Sequence, residues 1–579
     1  MAQNRRLDGT PHVSGTAAGR VLFADTGVSF MGGVSPVDGR VIDIHHPLHG
    51  ESVAGQMLVL PSGRGSCAGS LGIFELLLNG HAPRALIFRG GDTILTLGVL
   101  IARELFDRGI PVVGLTDADF ELLSDALYVI IDGGSVTLTS VPPSEVEPTV
   151  TLGDLDLSGF TLTARDRMML RGAFGAAAAT AMRIIIRTAQ LEGATDLVDV
   201  EMAHIDGCFY HGPGVLAFVN ALRDLGATVR VPSTMNSLCV DRRLWREQGV
   251  PQRLGAPSDE VAEAYIAMGV TPTYTCAPYL LDPAPAFGQQ IAWGESNAVV
   301  FANSVLGART LKYPDYLDIL VAITGRAPNA DCHTIDGRHA TVRVDVPTPR
   351  EPDDAYFALL GHHLGMISPN DIPVVCGLET VSVSRDDLKA FGAAFATTSA
   401  VAMFHIAGIT PEAPTVDAAT GPHGASRRLT VTNAALEAAW HQMTTATDSH
   451  VDLVAVGNPH FSLTECGRLA DRLAGRKKSD KVSLMVTCGR EVKSQADAAG
   501  YVDVITNFGG TIINDTCWCL ICEPVIPTTA RSIATNSGKY AHYGPAAVSQ
   551  AFHFASLDRC VEAACTGQID TTRPTWLQP

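Results

Sequence analysis

The sequence lacks the patterns that would assign it at once to several functional classes. Positive charge is scarce: the sequence has 42 Lys and Arg against 60 Asp and Glu, which gives a net charge of −18. Such an acidic chain is a poor match for a nucleic-acid phosphate backbone. No pair of C-x-x-C motifs has zinc-ribbon spacing. No low-complexity segment or short internal repeat occurs, so we expect an ordinary globular protein.

Secretion and membrane signals are also lacking. The first 15 residues carry no apolar core of a secretory signal, and the 13 cysteines are spread over 579 residues. We therefore expect a reducing, cytoplasmic location and a monomer. Residues 390–409 form a 20-residue stretch without formal charge. Its Ala, Thr, Gly and His content predicts a buried helix that runs into a buried strand, and no membrane contact.

The order of apolar segments predicts an α/β protein with two parts. Short apolar runs bounded by Gly, Pro or charge predict strands at 21–23, 57–60, 85–88, 111–115 and 126–131, and periodicity predicts helices at 70–78 and 96–106. Residues 1–145 form a small domain and 146–159 a linker. Residues 160–579 alternate helices with strands such as 453–456 and 482–486, which predicts a large multi-layer region with parallel sheets. Thr163 is a candidate N-cap.

A Gly-rich turn between a strand and a helix is the first candidate for chemistry. Residues 63–68 read GRGSCA, a loose match to a dinucleotide-binding turn. An acidic residue about 20 positions later is missing, and no Gly-Lys-Ser/Thr follows, which excludes a Walker loop. Ser66 stands where a helix N-terminus favours an anion. It is either a functional residue or simply an N-cap.

Cysteines and one lysine-containing turn are the other candidates. Residues 514–524 read NDTCWCLICEP, and Cys517 and Cys519 would share one face of a strand. They could hold a metal or pack as small apolar side chains. Residues 535–545 read TNSGKYAHYGP, in which Lys539 suits a carboxylate or phosphate, or is a solvated loop residue. Glu295 and Arg309 lie in a largely apolar run, so each should be paired or functional.

Longer motifs resemble the aconitase X family. Residues 29–70 are similar to its small swivelling subunit, and AHIDG, TCAPYL, AWGESNAVVFANSVLGART, ITGRAP, NDTC and TNSGKYAHY are similar to its large subunit, in the same order. The resemblance covers nearly the whole chain and implies the single-chain, fused bacterial type. It implies an aconitase-like fold, in which a small N-terminal swivelling β/α domain is fused to the large catalytic region.

The same resemblance implies an iron–sulfur dehydratase. Fused members include cis-3-hydroxy-L-proline dehydratases, and two-chain members include mevalonate 5-phosphate dehydratases. Cys276 and Cys517 match two of the family's cluster ligands. Two-chain members commonly read G-C-P-H-C-S where this chain has GNPHFS, so Asn458 replaces a thiolate. Cys376 is the expected third ligand, while Cys519 and Cys522 are expected to pack in an apolar strand. The fused type implies a 2Fe-2S cluster, with 3Fe-4S or 4Fe-4S as alternatives.

The roles implied by the resemblance complete the predicted site. Ser66 takes the part of the base that removes the α-proton of a hydroxy amino acid, and an open iron accepts the leaving hydroxyl. The expected product from cis-3-hydroxy-L-proline is Δ1-pyrroline-2-carboxylate. Candidates for holding the substrate are Arg64, His204, Asn236, Lys539 and His542. Three alternatives stay open: another hydroxy-acid dehydratase, a non-catalytic iron–sulfur sensor, and a hydrolase that uses Ser66 or Cys67 as nucleophile.

Overall fold

The N-terminal part of the protein is built on one mixed sheet. The computed structural model describes residues 5–43, 46–63, 67–144 and 146–577. The strands of this part are β1 (Arg5–Asp8), β2 (Thr10–Val13), β3 (Gly15–Phe23), β4 (Met57–Leu60), β5 (Ala85–Arg89), β6 (Val112–Leu115), β7 (Tyr128–Asp132), β8 (Ser135–Thr139) and β9 (Thr149–Val150). Its helices are α1 (Gly69–Asn79), α2 (Thr93–Phe106) and α3 (Asp117–Glu121).

The centre of this sheet is parallel and its flanks are antiparallel. The order is β1-β8-β7-β3-β4-β5-β6-β2, β9 adds to β3, and β3 to β6 run parallel. Strands β4 and β6 are fully buried, which agrees with their continuous apolar sequence. The helix α2 begins at Thr93, three residues before its predicted start, because the Asp92 carboxylate caps it by accepting from Leu95 N–H at 2.7 Å.

The next part, residues 164–328, packs helices around two small sheets. Its helices are α4 (Ala164–Leu170), α5 (Ala176–Leu191), α6 (Pro213–Asp224), α7 (Gln252–Ala267), α8 (Ser296–Phe301) and α9 (Leu317–Thr324). Its strands are β10 (Leu197–Asp199), β11 (Ala203–Ile205), β12 (Ser233–Met235), β13 (Ala292–Trp293) and β14 (Arg326–Pro328). β12-β11-β13 form a parallel sheet. Thr163 is the N-cap of α4, as predicted, in a capping box with Asp166.

Residues 342–443 form a parallel four-stranded sheet with the order β17-β16-β15-β18. The strands are β15 (Val342–Asp345), β16 (Pro373–Cys376), β17 (His405–Ile406) and β18 (Arg427–Thr430), and the helices are α10 (Asp354–Ile367), α11 (Arg385–Thr398), α12 (Val416–Thr420) and α13 (Asn433–Met443). The uncharged stretch 390–409 is the buried end of α11 followed by β17, as predicted. No helix within the described ranges is long and apolar enough to cross a membrane.

The last part is a parallel five-stranded sheet with the order β21-β20-β19-β22-β23. Its strands are β19 (Leu453–Val456), β20 (Ser483–Thr487), β21 (Gly510–Ile513), β22 (Ser532–Thr535) and β23 (Ala551–Phe554). Its helices are α14 (Leu463–Leu473), α15 (Arg490–Ala498), α16 (Tyr501–Phe508), α17 (Gly538–Val548) and α18 (Leu557–Thr566). Together with the parallel sheet of residues 342–430, this sheet confirms the predicted α/β region.

Polar contacts join the N-terminal part to the rest of the chain. The Glu75 carboxylate accepts from the Gly214 N–H at 2.7 Å, at the start of α6. Glu104 on α2 pairs with Arg183 on α5 at 3.1 Å. Near the start of α1, Cys67 O accepts from the Asp315 N–H at 3.2 Å. The beginning of α1 is therefore fixed against the segment that leads into α9.

Candidate functional site

The residues of the candidate site lie at the carboxyl ends of parallel strands from two sheets. Asp206, Asn236 and Glu295 follow β11, β12 and β13. Asn458 and Lys539 follow β19 and β22, which are neighbours at the point where the order of the five-stranded sheet reverses. Ligands of α/β proteins bind at such switch points, because the loops after adjacent strands diverge there.

Three thiols meet at this place. The thiols of Cys276 and Cys519 lie close enough to that of Cys517 for both to act on its ionisation. The Asn458 amide donates to Cys519 Sγ at 3.3 Å. Burial opposes ionisation of Cys276, but the Cys517 thiol and nearby His460 outweigh it and lower the pKa of Cys276 to about 6. This group of three thiols therefore favours the presence of at least one thiolate.

The buried His460 connects the two loops that carry Cys276 and Cys517. The His460 N–H donates to Cys276 Sγ at 3.3 Å. Its ring nitrogens lie 2.9 Å from Thr516 O and 3.1 Å from Thr275 Oγ1. His460 thus connects the residues that immediately precede Cys276 and Cys517 in the chain, which explains how two distant loops present their thiols to each other.

The segment around Cys517 is a turn, and this corrects the expected strand. Leu520 N–H donates to Cys517 O at 2.9 Å, so residues 517–520 fold back on themselves. The turn brings the Cys519 thiol to that of Cys517. Cys522, expected to be buried packing, is exposed. The structure therefore brings Cys519 next to the predicted ligand Cys517, and the short spacing between the two is the sequence signal for this.

Cys376 has other surroundings. It ends β16, and the groups that act on its ionisation are Arg343, Asp345, Glu379 and Arg428. Burial raises the pKa of its thiol. The third thiol in contact with the pair of predicted ligands is Cys519, because the turn at 517–520 brings it there. In the part of the chain that the structure describes, no three Cys, His, Asp or Glu side chains are already arranged as a finished metal site.

A buried ion pair lies beside the thiols. Lys539 Nζ donates to Glu295 Oε1 at 2.7 Å, and Asn297 Nδ2 donates to the same oxygen at 2.7 Å. Burial disfavours the charged form of both residues. For each of them, the opposite charge of its partner has the larger effect on the pKa. The pKa of Glu295 falls to about 2, and that of Lys539 is held well above its ordinary value. The predicted pairing of Glu295 is thus confirmed.

His204 and Asn236 extend this network. Asn236 Nδ2 donates to Glu295 Oε2 at 3.1 Å and also to the Asp206 carboxylate. His204 Nδ1 lies 2.7 Å from Thr234 Oγ1. Burial lowers the pKa of His204 to about 4, so its imidazole is neutral at pH 7. Both predicted residues are brought to the site, His204 as a neutral hydrogen-bonding group.

Three carboxyl groups lie buried behind Asn236. Asp206 and Asp315 lie near each other, and burial raises the pKa of both well above the ordinary value. Asp318 Oδ2 accepts from the Asp206 N–H at 2.6 Å. Burial raises the pKa of Asp318 to about 6, although backbone N–H groups oppose it. Of the three, only Asp206 belongs to a motif noted in the sequence, AHIDG.

The N-terminal domain reaches the site through Cys67. Burial raises the pKa of the Cys67 thiol far above its ordinary value, so the thiol is neutral and poorly suited to be a nucleophile. Lys312, which sequence reasoning missed, and Glu295 both act on its ionisation. The predicted residues Arg64 and Ser66 lie outside the described residues.

His542 is the remaining predicted site residue. Its Nδ1 lies 3.1 Å from Nε2 of His362 on α10, and its ring contacts that of Tyr543 edge-on. Burial and nearby His542 lower the pKa of His362 to about 3. Its predicted contact with substrate stays a prediction.

Comparison with known proteins gives one consistent family. Models of the aconitase X swivel, first, second and third domains match residues 6–140, 159–336, 340–441 and 451–566. The cis-3-hydroxy-L-proline dehydratase of Hypocrea jecorina is 49% identical over 100% of this chain and 98% of its own. That of Pseudomonas aeruginosa is 47% identical over 98% of this chain and 97% of its own.

Two-chain relatives are more distant. The phosphomevalonate dehydratase large subunit of Methanothermobacter thermautotrophicus is 36% identical over 66% of this chain and 92% of its own. The crystal structure of Thermococcus kodakaraensis aconitase X in its holo-form is similar with a TM-score of 0.63. It is 33% identical and covers 70% of this chain and 100% of its own.

Proposed function

Because the chain belongs to the aconitase X family, we propose that it is a dehydratase that removes water from cis-3-hydroxy-L-proline. Two relatives that match along the whole chain carry that activity in their names. The structural observation that supports the proposal most is the meeting of Cys276, Cys517 and Cys519 beside the Lys539–Glu295 ion pair. We also propose the cytoplasmic, monomeric state expected from the sequence.

The family suggests an iron–sulfur cluster, and the residues present fit one. Thiolates are the usual ligands of such clusters, and N–H donors to their sulfurs tune them. Cys276, Cys517 and Cys519 would hold a 2Fe-2S cluster, with the His460 N–H and the Asn458 amide donating to two of the sulfurs. Cys519 thus takes the place of Cys376 in the ligand set. When bound, the cluster supplies a Lewis acid for the leaving hydroxyl group.

The protein's own groups position the substrate and move one proton. By resemblance, Ser66 removes the proton from Cα while the hydroxyl leaves Cβ, which gives an enamine and one water. The enamine tautomerises to Δ1-pyrroline-2-carboxylate. A serine alkoxide needs nearby positive charge, and Lys312, which acts on the ionisation of Cys67, the residue after Ser66 in the chain, would supply it.

The side of the site next to Glu295 holds the neutral His204 and the Asn236 amide. Asn236 is fixed by Glu295 and Asp206, so its position is set before substrate arrives. Such preorganised polar groups favour one substrate orientation without the cost of rearrangement. This side therefore serves orientation, since the low pKa of His204 keeps it from carrying a proton at pH 7.

Turnover of two substrates tests the proposal. Protein purified without oxygen is assayed for iron and sulfide, then incubated separately with cis-3-hydroxy-L-proline and mevalonate 5-phosphate. We expect loss of water from the first, followed by NMR, and none from the second. Cys517→Ser is the matched control that should lose both iron and activity. Iron-loaded protein that leaves cis-3-hydroxy-L-proline intact refutes the assignment, and turnover of mevalonate 5-phosphate reassigns the substrate.

A further inference from the structure

Three lysines with buried or partly buried ammonium groups lie around the site, and they differ in their partners. Lys539 pairs with Glu295, and Lys389 pairs with Glu465. Lys312 differs from both: among the described residues, no carboxylate oxygen lies within 4.0 Å of its Nζ, the limit for an ion pair. Of these three ammonium groups, Lys312 is therefore the one that the described residues leave without a carboxylate in direct contact.

Backbone carbonyls hold Lys312 in place. Its Nζ donates to Ser399 O at 2.7 Å and lies 3.5 Å from Ala396 O, both at the carboxyl end of α11. Carbonyls at a helix C-terminus attract positive charge. An ammonium group has three N–H donors, so at least one remains for another acceptor. The side chain is thus oriented while part of its hydrogen-bonding capacity is unused.

Lys312 is close enough to the charged groups of the site for them to act on its ionisation. Cys67, Lys539 and Glu295 are the groups that act on the ionisation of Lys312. The residue is partly exposed, whereas Lys539 is buried. Burial lowers the pKa of the Lys312 ammonium, which is the usual result when a cation lacks a counter-ion. A bound anion would restore the balance.

We propose that Lys312 binds the carboxylate of the substrate. This assignment rests on the proposed function and gives the two site lysines different tasks. Lys539 is already neutralised by Glu295 and serves the architecture of the site, while Lys312 offers its charge to the ligand. A carboxylate on an ammonium forms a charge-assisted hydrogen bond, which is stronger than a neutral one.

Binding of two matched ligands tests this inference. L-proline carries the carboxylate without a 3-hydroxyl to eliminate, and L-prolinol replaces the carboxylate by an alcohol. Dissociation constants for both are measured by calorimetry on the cluster-loaded full chain, for the wild type, Lys312→Met and Lys312→Gln. Gln keeps a donor for Ser399 O while removing the charge, and it serves if the Met variant does not fold. Lys312 variants should bind L-proline at least about tenfold more weakly and L-prolinol as before.

The control is Lys478→Met. Lys478 is also partly buried and donates to two backbone carbonyls, Ser479 O at 2.9 Å and Val482 O at 2.6 Å, but lies next to β20 and outside the site. It should leave both affinities unchanged. The inference is overturned if the Lys312 variants lose affinity equally for both ligands or keep their affinity for L-proline. It is also overturned if the wild type does not bind L-proline. Selective loss of L-proline without turnover of cis-3-hydroxy-L-proline refutes the proposed function instead.

Discussion

Replacing Lys539 by Met leaves the Glu295 carboxylate buried without its cation. The two atoms are 2.7 Å apart, which at an effective dielectric constant of about 20 corresponds to about 6 kcal/mol of attraction before desolvation is subtracted. The pKa of Glu295, about 2 against an ordinary 4.5, corresponds to about 3 kcal/mol. Breaking a buried pair by removing one partner typically costs about 3–5 kcal/mol. We expect Lys539→Met to lower the free energy of unfolding by about 3 kcal/mol at pH 7.

The effect should depend on pH with a definite sign. In the wild type the folded pKa of Glu295 lies below the unfolded value, so its stabilisation is present above about 4.5 and is lost as pH falls toward about 2. In Lys539→Met the buried carboxyl has a raised pKa, so the variant loses stability as pH rises. The difference between the two proteins should therefore shrink from pH 7 to pH 4.5.

Local hydrogen exchange is the suitable assay, because a chain with several domains need not unfold in one step. Protection is followed in peptides covering 291–301 and 533–545, with urea midpoints as a second measure. The double variant Lys539→Met with Glu295→Met should cost less than the sum of the two single changes, since it leaves no unpaired charge. Additive costs, or a single variant as stable as the wild type, would refute the buried-pair reasoning.

Three further predictions concern the cluster ligands, the base and the buried acids. Cys519→Ser should lower iron and sulfide per chain as far as Cys517→Ser does, while Cys376→Ser keeps both; the reverse pattern would restore Cys376 as ligand. Ser66→Ala should cut turnover by about 10²–10⁴-fold with the iron content intact, and near-normal turnover would remove it as base. Asp315 has a raised pKa when folded, so wild-type stability falls as pH rises above about 4. Asp315→Asn should flatten that fall in urea midpoints between pH 5 and 8, and parallel curves would contradict it.

Local signals were sufficient for most strands and helices. β4 has the predicted bounds, because a fully apolar run between Gln56 and Pro61 has few alternatives. The N-cap of α4 was predicted from Thr163 alone, since a capping threonine acts within one turn. The predicted start of α2 is three residues late, because the apolar periodicity does not reveal Asp92 as its N-cap.

The site was only partly predictable, because its contacts join residues far apart in sequence. Glu295 was expected to be paired, but its partner is 244 residues away and no periodicity connects the two. Cys519 was set aside because the segment was read as a strand, and only the hydrogen bond between Leu520 and Cys517 shows the turn. Lys312 stands between Leu311 and Tyr313, and its lack of a carboxylate partner among the described residues becomes visible only in the structure. The sequence alone does not show which side chains lack an ion-pair partner in the fold.

The contacts between the N-terminal part and the rest of the chain have a consequence for how the site is maintained. Glu75 with Gly214, Glu104 with Arg183, and Cys67 with Asp315 are all noncovalent. Residues 146–159 contribute a covalent connection and one short strand beside β3. A short tether keeps its two ends at an effective concentration in the millimolar range whatever the dilution of the protein. A single chain can therefore rely on a weaker interface than two separate subunits need, and still close the same site.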